Sequence, residues 1–171
     1  FSTTGAWQYA TGASFSEYFE SDTHFRFGSP GDNVASWTFS GLSPGQYRIS
    51  ATWVAHPNRA TNAQYQVGDG STVWSTVTVN QEIAPGDLSD EGALWEDLGA
   101  ASYAVTGGTV VVALLGTGNE YLIADAVRVE RLGRVRHRDA GRAGVGRRRP
   151  GARPRLSVRG DLDGVSAERR H

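Results

Sequence analysis

Two neighbouring runs with a period of two constrain this chain most. Ala35, Trp37 and Phe39 alternate with Ser36, Thr38 and Ser40. After Gly41-Leu42-Ser43-Pro44-Gly45, Tyr47, Ile49, Ala51 and Trp53 alternate with Arg48, Ser50 and Thr52. Alternation of this kind sends one face of a strand to the core and the other to solvent, and no helix face can be drawn through it. The Gly-Leu-Ser-Pro-Gly turn between them predicts a hairpin. The same logic predicts strands at Phe1–Thr4, Gly5–Tyr9, Ser14–Phe19, His24–Phe27, Ala63–Val67, Thr72–Asn80, Trp95–Leu98, Ser102–Val105, Thr109–Leu115 and Tyr121–Glu130, with no helix before Leu132. Many short strands separated by Gly/Pro/Asp turns specify an all-β sandwich or jelly roll.

Charge divides the chain near Leu132. Residues 1–130 hold fourteen acids against four arginines, a net −10, whereas residues 131–171 hold thirteen arginines against four acids, a net +9. All 17 aromatic residues lie at or before Tyr121. The expected organisation is one β-sandwich domain over 1–132 and an Arg/Gly/Pro-rich tail over 133–171. That tail cannot bury enough apolar surface to offset its ordering entropy and is expected to be disordered. Three origins for it stay open: an out-of-frame read of GC-rich DNA (a frameshift artefact), a genuine basic linker or anchor, and an arm that binds nucleic acid by charge alone. The first is the reading adopted, so nucleic acid is not an expected partner. An in-frame transcript encoding the tail would overturn it.

The absence of cysteine excludes a disulfide framework and a cysteine-ligated zinc site. The chain has no methionine and reads as a mature form or a fragment, a reading that leaves room for a lost signal peptide. No apolar run is long enough to span a bilayer.

No catalytic constellation emerges. Gly41–Gly45 matches a Gly-x-Ser-x-Gly nucleophile pattern, but a strand follows it where that motif needs a helix. The polar run His56–Asn62 is the best site candidate. His56, Asn58, Arg59 and Asn62 offer planar hydrogen-bonding groups suited to sugar hydroxyls or a carboxylate, although Arg59 could instead stitch the loop to an acid. Sugar faces pack on exposed rings. Trp53 shares the apolar face with Ile49 and belongs in the core. Trp74 is out of phase with Val73 and Val77, so if those valines point inward it points outward, where it is either an exposed platform or packed beneath a second layer. Trp95 lies beside Glu96 and Asp97. Trp74 and Trp95 are therefore the candidate stacking rings. Asp125 falls on the inward face of the last strand with Ile123, Val127 and Val129, where a carboxylate must be bonded or protonated; it is read as a structural acid, with a ligand or metal contact as the alternative. Asp87, Asp90, Glu91 and Asp97 raise the question of calcium but lack any fixed ligand spacing, so a solvated acidic loop and no cofactor are expected.

The segments SATWVAHPNRATNAQYQVGDG, FSGLSPGQYRI, VTVNQEIAPGDL, WEDLG and YLIADAVRVERL occur in order and resemble the golvesin C-terminal domain, which is similar to the carbohydrate-binding domain of xanthan lyase. The resemblance covers Phe1 to about Leu132. It implies a galactose-binding-like sandwich and a polysaccharide ligand. Together with the missing catalytic groups, it gives a non-catalytic accessory module of a secreted or cell-surface bacterial protein, partnered by a glycan and by other domains of a larger parent chain. The alternative is a structural spacer or protein-docking module with no sugar ligand.

Overall fold

A computed structural model describes residues 1–15, 17–133 and 167–170. In chain order its strands are β1 (Ser2–Thr4), β2 (Gln8–Thr11), β3 (Asp22–Phe27), β4 (Val34–Ser40), β5 (Gly45–Thr52), β6 (Ala63–Gly68) and β7 (Val73–Val79). They are followed by β8 (Leu88–Asp90), β9 (Ala93–Asp97), β10 (Tyr103–Val105), β11 (Thr109–Leu115), β12 (Tyr121–Ala124), β13 (Ala126–Arg131) and β14 (Ala167–Arg170). One sheet has the order β1-β4-β11-β6-β7, a second β14-β13-β5-β9-β8 with β10 also on β5, and a small third β12-β3-β2. The chain is all-β, as its periodicity dictates.

Trp37, Phe39, Val112, Leu114, Tyr65 and Val67 from the first sheet share one core cluster with Ile49, Ala51, Val127 and Val129 from the second. Burial of this apolar surface is the main stabilising term. The alternation in β4 is obeyed: Ala35, Trp37 and Phe39 are fully buried.

Five local expectations are corrected. β4 and β5 do not form a hairpin; they lie in different sheets, and the Gly41–Gly45 turn carries the chain from one layer to the other. Alternation sets a strand's faces but is silent on its partner. β5 is buried on both faces over its second half, Ser50 and Thr52 included, and on the outer face Ser50 Oγ donates to Asp97 of β9. Among its described residues Ser14–Phe19 holds no strand; 3₁₀ turns at Ala13–Phe15 and Phe19–Ser21 take up its two ends, with Glu20 and Ser21 at positive φ. Tyr121–Glu130 is two strands in two sheets, broken at Asp125. Finally, Val67 faces Ser75 while Gly68 faces Val73, so Trp74 is the extra residue of a bulge.

The second sheet also gains a strand where none was expected. Ala167–Arg170 runs antiparallel to β13, with Val127 opposite Arg170 and Glu130 opposite Ala167. Backbone pairing along an open edge asks little of side chains. The rest of the tail, where disorder was expected, lies outside the described residues apart from Gly133.

Candidate functional site

The chain leaves β5 at Thr52 and crosses the rim of the sandwich as a loop before entering β6 at Ala63. Backbone bonds hold that loop in place. Arg59 N–H donates to His56 O at 3.0 Å, Ala60 N–H to Tyr121 O at 2.8 Å, and Tyr121 N–H to Asn58 O at 3.3 Å. Arg59 and Tyr121 form a parallel bridge, so the loop lies beside β12 like a short extra strand. At its far end Asn62 Oδ1 accepts from Asn119 N–H at 2.8 Å, and Asn119 Oδ1 accepts from Thr61 N–H at 3.0 Å.

This packing opens a groove of about 270 Å³ walled by Tyr18, Thr23, Phe25, Asn58, Arg59, Tyr121 and Ile123. Arg59 spans one wall. Its Nη1 donates to Asn58 Oδ1 at 2.7 Å and its Nη2 to Tyr18 Oη at 2.9 Å, while Nε is buried with no partner. Arg48 and Arg128 pair with carboxylates, but Arg59 makes no ion pair among the described residues. The other wall is aromatic. Phe25 and Tyr121 stand 6.4 Å apart, and Phe27 meets Tyr121 edge-on at 5.3 Å. Phe27 is 57% exposed and Tyr121 36%. Planar donors therefore face rings within one concave surface, the arrangement that suits a ligand with apolar faces and hydroxylated edges.

Of the expected polar contacts, Asn58 and Arg59 line this groove, and His56 supports them, with Nδ1 2.8 Å from Asn58 Oδ1. Asn62 is tied to Asn119 instead. The two expected stacking rings are not there. Trp95 is fully buried, with its Nε1 donating to Asp90 O and its ring against Phe19 at 5.3 Å, so it offers no face to a sugar. Trp74 is turned inward by the bulge and stacks on Tyr103 at 6.1 Å, leaving Val73 exposed in its place. The rings at the groove are instead Phe25 and Tyr121, with Phe27 packed against Tyr121 beside it. They meet only through the β3–β12 register, Phe27 opposite Tyr121 and Phe25 opposite Ile123, and nothing local in the sequence announces that pairing.

A larger cleft of about 590 Å³ lies across the Tyr18–Ser21 turn, between Thr52–Ala55 and Glu91–Leu94. Tyr18 lines both spaces. Asp125 sits behind the turn, 4% exposed, with Oδ2 accepting from Phe19 N–H at 3.3 Å and Oδ1 without a partner. Burial pushes its carboxyl up to about 8; the Phe19 N–H opposes the shift and the charge of Asp22 adds to it. Beside it, burial and the Asp125 charge push the Tyr65 phenol upward as well.

The acids weighed for calcium are engaged elsewhere. Asp97 accepts two bonds from Arg48, Asp87 accepts from the Asp97 N–H, and Asp90 pairs with Arg128. No group of three or more metal-ligating side chains occurs among the described residues.

A search of curated sequences returned no match. Among solved structures, a Paenibacillus xanthan lyase matches with a TM-score of 0.58 and 25% identity over 75% of this chain. The match spans 11% of that enzyme's length. The family model of the golvesin C-terminal domain matches residues 1–131. On that match, which covers every strand from β1 to β13, the chain belongs to the golvesin C-terminal domain family.

Proposed function

We propose that this chain is a non-catalytic polysaccharide-binding module, an accessory part of a larger secreted or cell-surface protein. Its likeness to a small portion of a xanthan lyase supports an accessory role. The observation that carries the reading is the groove, in which exposed Tyr121 and half-buried Phe25 face the guanidinium of Arg59 and the amide of Asn58. The rings take the C–H face of a sugar, and the planar donors and acceptors take its edge hydroxyls. Other domains of a parent chain would supply any chemistry.

Native electrophoresis through gels containing xanthan, dextran, cellulose derivatives or alginate tests this. Retardation by one of these glycans, abolished in a Tyr121→Ala, Arg59→Gln double variant that still melts cooperatively, is the expected outcome. Free migration in every gel would move the reading to a structural spacer, which the many internal bonds of the His56–Asn62 loop would equally serve.

A further inference from the structure

Asp125 touches neither cavity, yet it holds the wall they share. Its Oδ2 fixes the Phe19 N–H, the donor next in chain to Tyr18. Tyr18 lines the groove and receives the Nη2 of Arg59. The turn itself is not a relaxed one, because Glu20 (φ 53) and Ser21 (φ 65) both occupy the left-handed region that side chains avoid. Such a turn persists where its surroundings over-determine it. Backbone bonds that also hold it include Ser21 N–H to Tyr18 O, Asp22 N–H to Phe19 O and Gly12 N–H to Ser21 O. Asp125 also occupies the break between β12 and β13, the point that sends Tyr121 and Ile123 into the groove's sheet.

We infer that Asp125 is a positioning residue for the glycan groove, setting the Tyr18–Ser21 turn and, through Tyr18, the orientation of Arg59. This rests on the groove being the glycan site. As a neutral acid, Asp125 satisfies Phe19 and leaves one uncharged oxygen bare. As an anion it would be a buried charge with a single donor, and the turn must shift to bring it another. The charged or titratable groups that act on it from neighbouring strands are Asp22 of β3, which disfavours the anion further, and Tyr65 of β6, which stays neutral throughout. Groove geometry, and with it affinity, should therefore change as Asp125 ionises, with a midpoint near 8.

The test is ¹⁵N–¹H NMR of the full chain from about pH 6 to about pH 9.5, a window that keeps an ordinary tyrosine neutral. The amides of Phe19 and Tyr121 are followed in wild type and Asp125→Asn, the Asn58 amide being left out because it donates to the His56 ring, with xanthan and dextran affinity measured in parallel. The two amides are expected to move together in wild type and to stay still in the Asn variant. Affinity for a glycan that binds should fall at least about fivefold at the alkaline end in wild type only. A Tyr121 amide that ignores the Phe19 titration, or that titrates equally in the Asn variant, overturns the proposal. Should neither glycan bind at any pH, the glycan reading fails, and the amides still decide whether Asp125 positions the groove.

Discussion

Gln81 does at the residue level what a strand does elsewhere. It is fully buried; its Nε2 donates to Ile123 O at 2.8 Å and its Oε1 accepts from Ile123 N–H at 2.9 Å. One side chain thus satisfies both backbone groups of a residue at the groove. Replacing it with Leu would strand two buried polar groups, so Gln81→Leu should lose about 2–4 kcal/mol, read as a lower urea midpoint. Asp125 gives a second residue-scale expectation. Its folded value of about 8 exceeds the unfolded value of roughly 3.9, so between them the folded state holds a proton that the unfolded state has released. Stability is therefore highest below that window, falls as pH rises through it, and is flat above it. In Asp125→Asn this loss, on the order of a few kcal/mol, should vanish from the difference between urea titrations at acid and alkaline pH. The inward place of Asp125 and the core place of Trp53 were legible from alternation. The burial of Trp95 was not, because a polar neighbourhood in sequence says nothing about the Phe19 ring that covers it in space.

Among the elements, β11, β4 and β5 stood where periodicity put them, since period two is a local property of the chain. Their partners are set by distant residues, and that is where expectation failed: the hairpin that does not form, and the last strand that changes sheets. Trp74 shows the cost of one inserted residue. Across the bulge the side-chain phase shifts by one, so Trp74 packs inward and Val73 points out, while Val77 and Val79 keep to the core side. The bulge depends on Gly68, where an added Cβ would lie 2.1 Å from Thr72 O, a backbone atom with little room to retreat. Gly68→Ala should therefore open the β6–β7 hairpin and cost about 1–3 kcal/mol, with faster amide exchange confined to those strands.

For the whole molecule, every residue of the core cluster lies between Tyr18 and Val129. A chain ending at Gly133 should keep its cooperative melt within about 5 °C of the full length, losing only the β14 ladder. Its charge changes far more. The full chain joins a −10 body to a +9 tail, so one copy's tail attracts another copy's body. Light scattering should show association at low salt that fades as the screening length shrinks to about 8 Å at 0.15 M, and the shorter chain should show none. The composition step at Leu132 made that division plain; which groove the body presents was not legible, because the groove is assembled from β3, β12 and two loops that meet only in the folded chain.

The pairing of β13 with β5 and of β11 with β4 also fixes a timetable. β4 waits for β11 and β5 for β13, so until both have left the ribosome the core around Trp37, Phe39 and Ile49 is incomplete. Closing such distant pairs is slow, in the millisecond-to-second range of other non-local β folds. A nascent chain of this design is exposed to aggregation for most of its synthesis, and a stop upstream of Tyr121 would leave a product unable to close its core.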